Sequence, residues 1–591
     1  MKRYYLTCWT PAAILLIAGS ANSLAAGLFG ASFDLATLNG ANGFVVNGIN
    51  AGDQSGRFVS SAGDINGDGF DDLIIAAVNA EPNMHDMAGE SYVVFGSGAP
   101  FPPSINLSAL DGSNGFRIEG IDEYDYIGYA ISGAGDINGD GIDDLVIGAG
   151  FAGPGGSGQY PQNTGESYVI FGSTNSFPPA VDLTSLNGSN GFVIKGIDVN
   201  DGCGDAVSGK GDINGDGIDD LIIGARAAAP NGVAGAGETY VIFGSIAPFP
   251  AVFDLTSLTG ANGFVINGID AGDLSGSSVS IAGDINGDGI DDLAIGAPHA
   301  DRIDIGSSGE SYVVFGSTSP FQASIDLDSL TGTDGFIIYG IDSVDNSGRS
   351  VSNAGDINSD GIDDLIIGAF RADPNGAENA GESYVVFGSN DPFPQSLNLS
   401  SLNGANGFVI NGVDAGDYSG NTVSAAGDIN GDGVDDLAIG AHLANPEGKI
   451  RSGEVYVIFG SSLPFTSSLN PELLNGDNGF ILTGADAGDT CGFSVSEGGD
   501  INGDGADDLI IGAHNGDPNG KFQAGETFIV FGRTPCNADL NADGVVDTAD
   551  LGTLIAQFGT PGSGADINND GTVDTADLGI LIAAFGTTTC D

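Results

Sequence analysis

Short apolar runs punctuated by glycine and acidic residues recur along this chain in one order. A representative unit reads "GFVINGIDAGDLSGSSVSIAGDINGDGIDDLAIGAP", then a variable stretch, then "GESYVVFGS". Each unit holds four runs rich in Val, Ile, Phe and Tyr, bounded by Gly, Asp and Asn, which predicts four short strands. The unit occurs seven times, its acidic loop starting at Asp64, Asp136, Asp212, Asp284, Asp356, Asp428 and Asp500, at intervals of 72 residues and one of 76. A fixed period of this kind marks a repeat architecture, and seven repeats of four strands predict an all-β, seven-bladed propeller. Every "GF" run, from Gly43 to Gly479, precedes its loop, and no eighth copy follows "FIVFG", so the seventh blade lacks an outer strand. Docking of residues 43–48 there closes the ring and removes the open edges. Two alternatives stand beside the ring. An open solenoid wants distinctive capping repeats, which the sequence lacks; seven independent modules would each bury too little surface to offset their ordering entropy.

The loop "DINGDGFDD" places oxygen ligands at alternate positions and glycine at the sixth, as a helix-loop-helix calcium loop does through its ninth position. The twelfth, where a bidentate acid would follow, is Ile75, inside an apolar run, so this loop feeds a strand. Water can complete the shell of an ion that tolerates irregular oxygen geometry. The candidate ligands are Asp64, Asn66, Asp68, the carbonyl of Phe70, and Asp72 in the first copy, then Asp136, Asn138, Asp140, Ile142 and Asp144 in the second. The third to fifth copies offer Asp212, Asn214, Asp216, Ile218 and Asp220; Asp284, Asn286, Asp288, Ile290 and Asp292; and Asp356, Asn358, Asp360, Ile362 and Asp364. The last two offer Asp428, Asn430, Asp432, Val434 and Asp436, and Asp500, Asn502, Asp504, Ala506 and Asp508. One such loop would be an ordinary Asx-rich turn; seven indicate a calcium site in each blade.

Two further loops near the C-terminus, "DLNADGVVDTAD" and "DINNDGTVDTAD", keep an acid at position twelve. Their candidate ligands are Asp539, Asn541, Asp543, Val545, Asp547 and Asp550, and Asp566, Asn568, Asp570, Thr572, Asp574 and Asp577. Each runs into apolar residues at helical spacing, Leu551, Leu554, Ile555 and Phe558 in one and Leu578, Leu581, Ile582 and Phe585 in the other. Calcium is therefore the expected cofactor, at about nine sites. Four aspartates in each of nine loops account for 36 of the 79 acidic residues, so much of the formal charge of -65 is ligand. A surface this acidic repels nucleic acid. Without the ions, crowded carboxylates would destabilise the compact state.

Lys2 and Arg3, the apolar "AAILLIAG" and the small residues of "SLAAG" read as a secretory signal peptide over residues 1–26. No other run approaches the length of a membrane span. The expected product is secreted, extracellular or at the cell surface. Cys203 and Cys491 share one repeat position in blades three and seven, across the ring and too far apart for a disulfide.

The repeats resemble FG-GAP repeats, the units of the integrin alpha-subunit propeller, over roughly residues 33–533. The likeness lies in the start of the inner strand ("CGFSVS" at Cys491–Ser496, "SGSSVS" at Ser275–Ser280), the nine-residue loop, and "IGAP" at Ile295–Pro298. Most copies carry Ser-Gly where that family has Phe-Gly, and Ser359 stands where the other loops have Gly. The resemblance implies that the calcium hairpins join strands one and two on the lower face. The tandem C-terminal loops resemble a dockerin, which implies a small α-helical, EF-hand-like domain over residues 535–591, after a propeller at 27–534, and a cohesin as a partner. Dockerins fold with their ends together, so Cys536 and Cys590 would meet and pair in an oxidising compartment. A calcium-stapled cap or spacer is the alternative.

A residue needed once for chemistry would not be repeated seven times. Two further acids are so repeated: Asp53, Asp125, Asp201, Asp273, Asp345, Asp417 and Asp489, and the Glu of each "GE" from Glu90 to Glu526. They read as loop-bracing acceptors, with a second metal site as the alternative. No enzyme is expected, though glycan hydrolysis stays open. All four histidines, His85, His299, His442 and His514, fall in the variable loops between strands two and three. Such loops on a rigid frame commonly carry recognition. His442, Lys449, Arg451, His514 and Lys521 therefore mark an expected ligand face around blades six and seven, for an extracellular protein or polysaccharide. Three functions follow: an adhesion or ligand-binding propeller, a glycan-binding or glycan-active component of a dockerin assembly, or a structural surface protein.

Overall fold

A computed structural model describes residues 29–153, 163–301 and 305–533, then 538, 540, 546–559, 565, 567 and 572–585. The expected signal peptide, Cys536, Cys590, and the loop ligands Asp539, Asn541, Asp543, Val545, Asp566, Asn568 and Asp570 lie outside the described residues. The chain folds into seven sheets arranged as blades. In the first blade the inner strand Ser55–Gly63 is followed outward by Asp72–Ala77, Glu90–Val94 and Gly115–Glu119, all antiparallel. These are the four strands read from the apolar runs.

Each blade also has a fifth strand, which the sequence reading missed. Ala180–Asp182, from the following repeat, adds to the outer edge of blade one in parallel with residues 117–119. After its third strand the chain thus crosses back to pad the preceding blade, then returns to complete its own. The segment is only three residues long and half exposed, so it carries almost no hydrophobic periodicity.

The ring closes as expected, and with two strands. Gly43–Asn47 pairs antiparallel with Glu526–Val530 as the fourth strand of blade seven. Ser32–Asp34 pairs in parallel with residues 481–483 as the fifth strand of blade six. Two open edges are thereby covered by one N-terminal segment.

Why the second strands are continuous apolar runs follows from their place. Asp72–Ala77 and its counterparts are buried at every residue because a neighbouring blade packs on each face. Ile74, Val93 and Phe116 of blade one, for example, share a core with Leu145, Ile147 and Tyr168 of blade two. At the outer rim, the Phe of each "GF" strand stacks on a Phe from the linker that leads into the padding strand. Phe116 lies 4.4 Å from Phe177 in ring centroids, and Phe480 lies 4.3 Å from Phe29. All seven blades repeat this stack. Cys203 and Cys491 are buried free thiols.

Near the C-terminus, helices α1 (Thr548–Gln557) and α2 (Thr575–Ala583) each follow one of the tandem loops. Ala538, Val546, Leu554, Ala565, Ile567, Val573 and Leu581 form their shared core.

Candidate functional site

The seven hairpin loops share one geometry. In the first, the Asp64 carboxylate accepts the N–H groups of Asp68 (3.0 Å) and Gly69 (2.8 Å), and Asp68 accepts that of Phe70 (3.2 Å). Asp72, fully buried, accepts the Gly96 N–H at 2.8 Å and the Asn66 amide at 3.2 and 3.3 Å. Burial pushes the Asp72 carboxyl up to about 8, and Asp68 and Asp64 push it further against the pull of those hydrogen bonds. Asp144, Asp220, Asp292 and Asp364 behave alike. A buried carboxylate crowded by two others calls for a cation, and Asp, Asn and a backbone carbonyl are hard oxygen donors suited to calcium. Asp64, Asn66, Asp68, the Phe70 carbonyl and Asp72 would hold it. Among the described residues no three His, Cys, Asp or Glu side chains form a metal cage by themselves; the loop depends on its Asn and carbonyl as well.

One function of these loops was not read from the sequence. The first aspartate of each "DD" pair reaches into the neighbouring blade: Asp143 Oδ2 accepts the Asp64 N–H at 2.9 Å, and Asp71 Oδ2 accepts the Asp500 N–H at 2.9 Å. The same bond, at 2.8 Å, joins every other pair of neighbours. Gly63, at φ 67°, lies beneath Asp143, and a Cβ there would meet Oδ2 at 2.2 Å. The invariant doublet in each copy was the available signal.

In the C-terminal pair, loop positions nine and twelve serve as helix caps. Asp547 accepts the Ala549 N–H (2.6 Å) while Asp550 accepts that of Asp547 (2.7 Å), a capping box that starts α1. Asp574 and Asp577 repeat it for α2.

The repeated "GE" glutamates are tied to the third strand. The hydroxyl of Tyr168 donates to Glu166 at 2.7 Å and that of Tyr456 to Glu454 at 3.1 Å, with Glu90 and Tyr92 alike. Asp53 accepts both the backbone and side-chain N–H of Asn50.

On the opposite face, where the inner strands begin, a pocket of about 500 Å³ opens between blades six and seven. His442, Arg451, Asp489, Phe493, His514 and Phe522 are among its walls. The Phe493 ring lies 4.3 Å from His514 and 5.3 Å from His442 in centroids, edge-on to both. Burial drives His514 down to about 3 and His442 to about 4, helped by Arg57 and Arg349 respectively, so both are neutral imidazoles. His442 Nδ1 and Asp489 Oδ2 are buried without a hydrogen-bond partner. Lys449 and Lys521 are placed differently. Lys449 Nζ binds Asp34 and the Gly484 carbonyl, and Lys521 Nζ binds the Ile49 carbonyl, so both pin the N-terminal segment that closes the ring.

Comparison with known proteins agrees with this anatomy. FG-GAP repeat models match residues 55–94, 128–170, 207–242, 275–314, 347–386, 419–458 and 492–530, one to each blade. A Dockerin type I domain model matches residues 537–586. The chain is 30% identical over 358 residues to a phosphatidylinositol-glycan-specific phospholipase D of Dictyostelium discoideum, covering 57% of this chain and 34% of that protein. It is 28% identical over 242 residues to integrin alpha-PS2 of Drosophila melanogaster, covering 40% and 15%, and 27% identical over 283 residues to integrin alpha pat-2 of Caenorhabditis elegans, covering 45% and 20%. The chain thus spans about a third or less of each of these relatives. Both module types are calcium-binding in general. No helix among the described residues is long and apolar enough to cross a membrane. The chain is a seven-bladed propeller of FG-GAP repeats with a C-terminal dockerin type I domain.

Proposed function

We propose that this is an exported, non-catalytic, ligand-binding propeller, braced by about nine calcium ions and attached through its dockerin module to a cohesin-bearing partner. The observation that carries the reading is the pocket between blades six and seven. It sits on the variable-loop face of a rigid frame and sets the aromatic rings of Phe493 and Phe522 beside His442, Arg451, Asp489 and His514. A concave site that mixes apolar rings with a few polar groups is the usual form of a ligand pocket.

The attachment reading is supported by the helices. Of the residues at helical spacing, Leu554 and Leu581 are fully buried, but Ile555, Phe558, Ile582 and Phe585 stay exposed. The tandem loops therefore present matched apolar side chains on both copies, a surface suited to a partner. Mixing the full chain with a cohesin in calcium should give a complex on gel filtration. Ile555→Lys combined with Ile582→Lys should abolish it, and an undiminished complex would move the contact elsewhere. For the propeller, Phe522→Ala should weaken ligand capture without lowering the melting temperature. Release of reducing sugar from a bound glycan would overturn the non-catalytic reading.

A further inference from the structure

Phe493, a wall of the pocket, stands beside a second group of side chains with different chemistry. Phe493 immediately precedes the inner strand of blade seven, Ser494–Gly499; the same repeat position holds Arg57 in blade one, Tyr129 in blade two and Arg349 in blade five. Inner strands converge on the axis, so these side chains ring the mouth of the central channel on the loop face. The Arg57 guanidinium lies 5.2 Å from the Phe493 ring centroid and 6.0 Å from that of Phe58, whose ring is 5.5 Å from Tyr129. Arg226, just after the second strand of blade three, joins them and is held by Asp205 at 2.8 Å. Arg57 and Arg349 have no carboxylate partner among the described residues. Arg57 makes one long bond, 3.4 Å, to Gln54. Burial lowers the Arg349 guanidinium, which also feels the positive charge of Arg226 and Arg57. In a chain with 79 acidic and 14 basic residues, three arginines at one opening form an exceptional patch.

We propose that the channel mouth receives the carboxylate of an acidic sugar residue, with Arg57 and Arg349 as its guanidinium forks and Phe493 and Tyr129 as ring faces for the apolar side of the pyranose. The ligand of the loop face is then a uronate-bearing polysaccharide. This rests on the reading of that face as the ligand-binding face and names the class of ligand. A guanidinium presents paired N–H donors that match a carboxylate in its own plane, and it works best where water is partly excluded. The surrounding acidity repels any polyanion, so discrimination against a segment of consecutive Asp and Glu residues rests on the rings, since such a segment offers no apolar face to Phe493 and Tyr129. An acidic sugar brings one carboxylate on each apolar-faced ring and presents it to this basic opening.

Calorimetry with the calcium-loaded full chain decides the matter, using a short oligogalacturonate, the same oligomer with its carboxylates reduced to alcohols, and an oligoglutamate peptide. The oligogalacturonate should bind, more weakly as salt rises, and the reduced oligomer should not. Arg57→Gln and Arg349→Gln should each weaken binding by about tenfold to a hundredfold, the range for losing a hydrogen bond to a charged group, with unchanged melting temperatures. Should either variant fail to fold, the contrast between the oligomers with the unmodified chain still decides. Equal binding of the reduced oligomer, lost on Phe522→Ala, would overturn the acidic-sugar inference while keeping a ligand site on this face. Binding of the peptide but not the sugar would overturn the glycan assignment. Binding of none of the three overturns the inference.

Discussion

The two faces of the propeller are built from the same seven repeats and treat them in opposite ways. On the hairpin face the same aspartates make the same bonds seven times, and each blade's Asp reaches the preceding blade's backbone around the whole circle. On the loop face, equivalent positions hold Arg57, Tyr129, Arg349 and Phe493. Uniformity is what a closed ring requires of its joints, since each joint faces an identical neighbour. Difference at equivalent positions has no such use and breaks the symmetry where a particular ligand would be met. Damage to the first face should therefore register as lost stability, and damage to the second as lost binding.

The sharpest test of the uniform side removes residues 29–48. That strips the fourth strand from blade seven and the fifth from blade six, and the expected product is aggregated; a stable monomer would show that the ring does not depend on closure. Chelation comes next. If the hairpins hold calcium only when folded, EDTA should lower the melting temperature by roughly 10 °C or more, and no shift would remove the ions from the account. Asp143→Ala should cost about 1 kcal/mol, because the half-buried Asp64 N–H loses its acceptor, and should leave ligand affinity unaltered.

A pH series separates the faces further. Glu454 is pushed up to about 7, by burial first, with Asp417 and Asp414 adding and the Tyr456 hydroxyl opposing. Glu526 is pushed up to about 7 as well, by burial and then Asp489 and Asp486. A carboxyl that keeps its proton longer when folded adds stability that is complete below its unfolded pKa, 4.5, and is lost as pH rises through about 7. The depressed histidines act in the other direction: their contribution is lost as pH falls from 6.5 toward 4. With calcium held saturating, these contributions offset one another between pH 5 and 6.5, and from 6.5 to about 7 the carboxyls act alone: the melting temperature should fall there and Glu454→Gln should flatten part of that fall, while an unchanged slope would exclude Glu454 as its source. The smallest effect is expected at Ser359, which sits at φ 58° where the other hairpins have glycine. Ser359→Gly should stabilise by about 1 kcal/mol, and a destabilised variant would contradict the strain.

Much of this was legible because repetition amplifies weak local signals. The four short strands and the acidic loop could be read in one repeat and confirmed in six more, and the docking of Gly43–Asn47 followed from the missing eighth copy. The padding strands escaped because three half-exposed residues show no period. Their anchor, the linker phenylalanine, was repeated just as faithfully, and its stack on the "GF" ring marks them in retrospect. On the loop face, Lys449 and Lys521 were grouped with Arg451 by charge and position alone. The partners that separate them, Asp34 and the Ile49 carbonyl, are more than four hundred residues distant and are brought near only by closure. The arginines of the channel mouth went unnoticed since they are far apart in sequence and meet only on the axis.

The N-terminal strand of blade seven also has a mechanical meaning. Tension applied to the C-terminal module enters the propeller through Glu526–Val530, which is hydrogen-bonded along its length to Asp508–Ala513 on one side and Gly43–Asn47 on the other. Just beyond it, the Arg533 N–H is fastened to the Ile429 carbonyl at 2.8 Å. A pull along that strand loads two ladders in shear at once, so the bonds resist together instead of opening one after another. The seam that shuts the ring is also the point at which a tethered molecule under flow would carry its load.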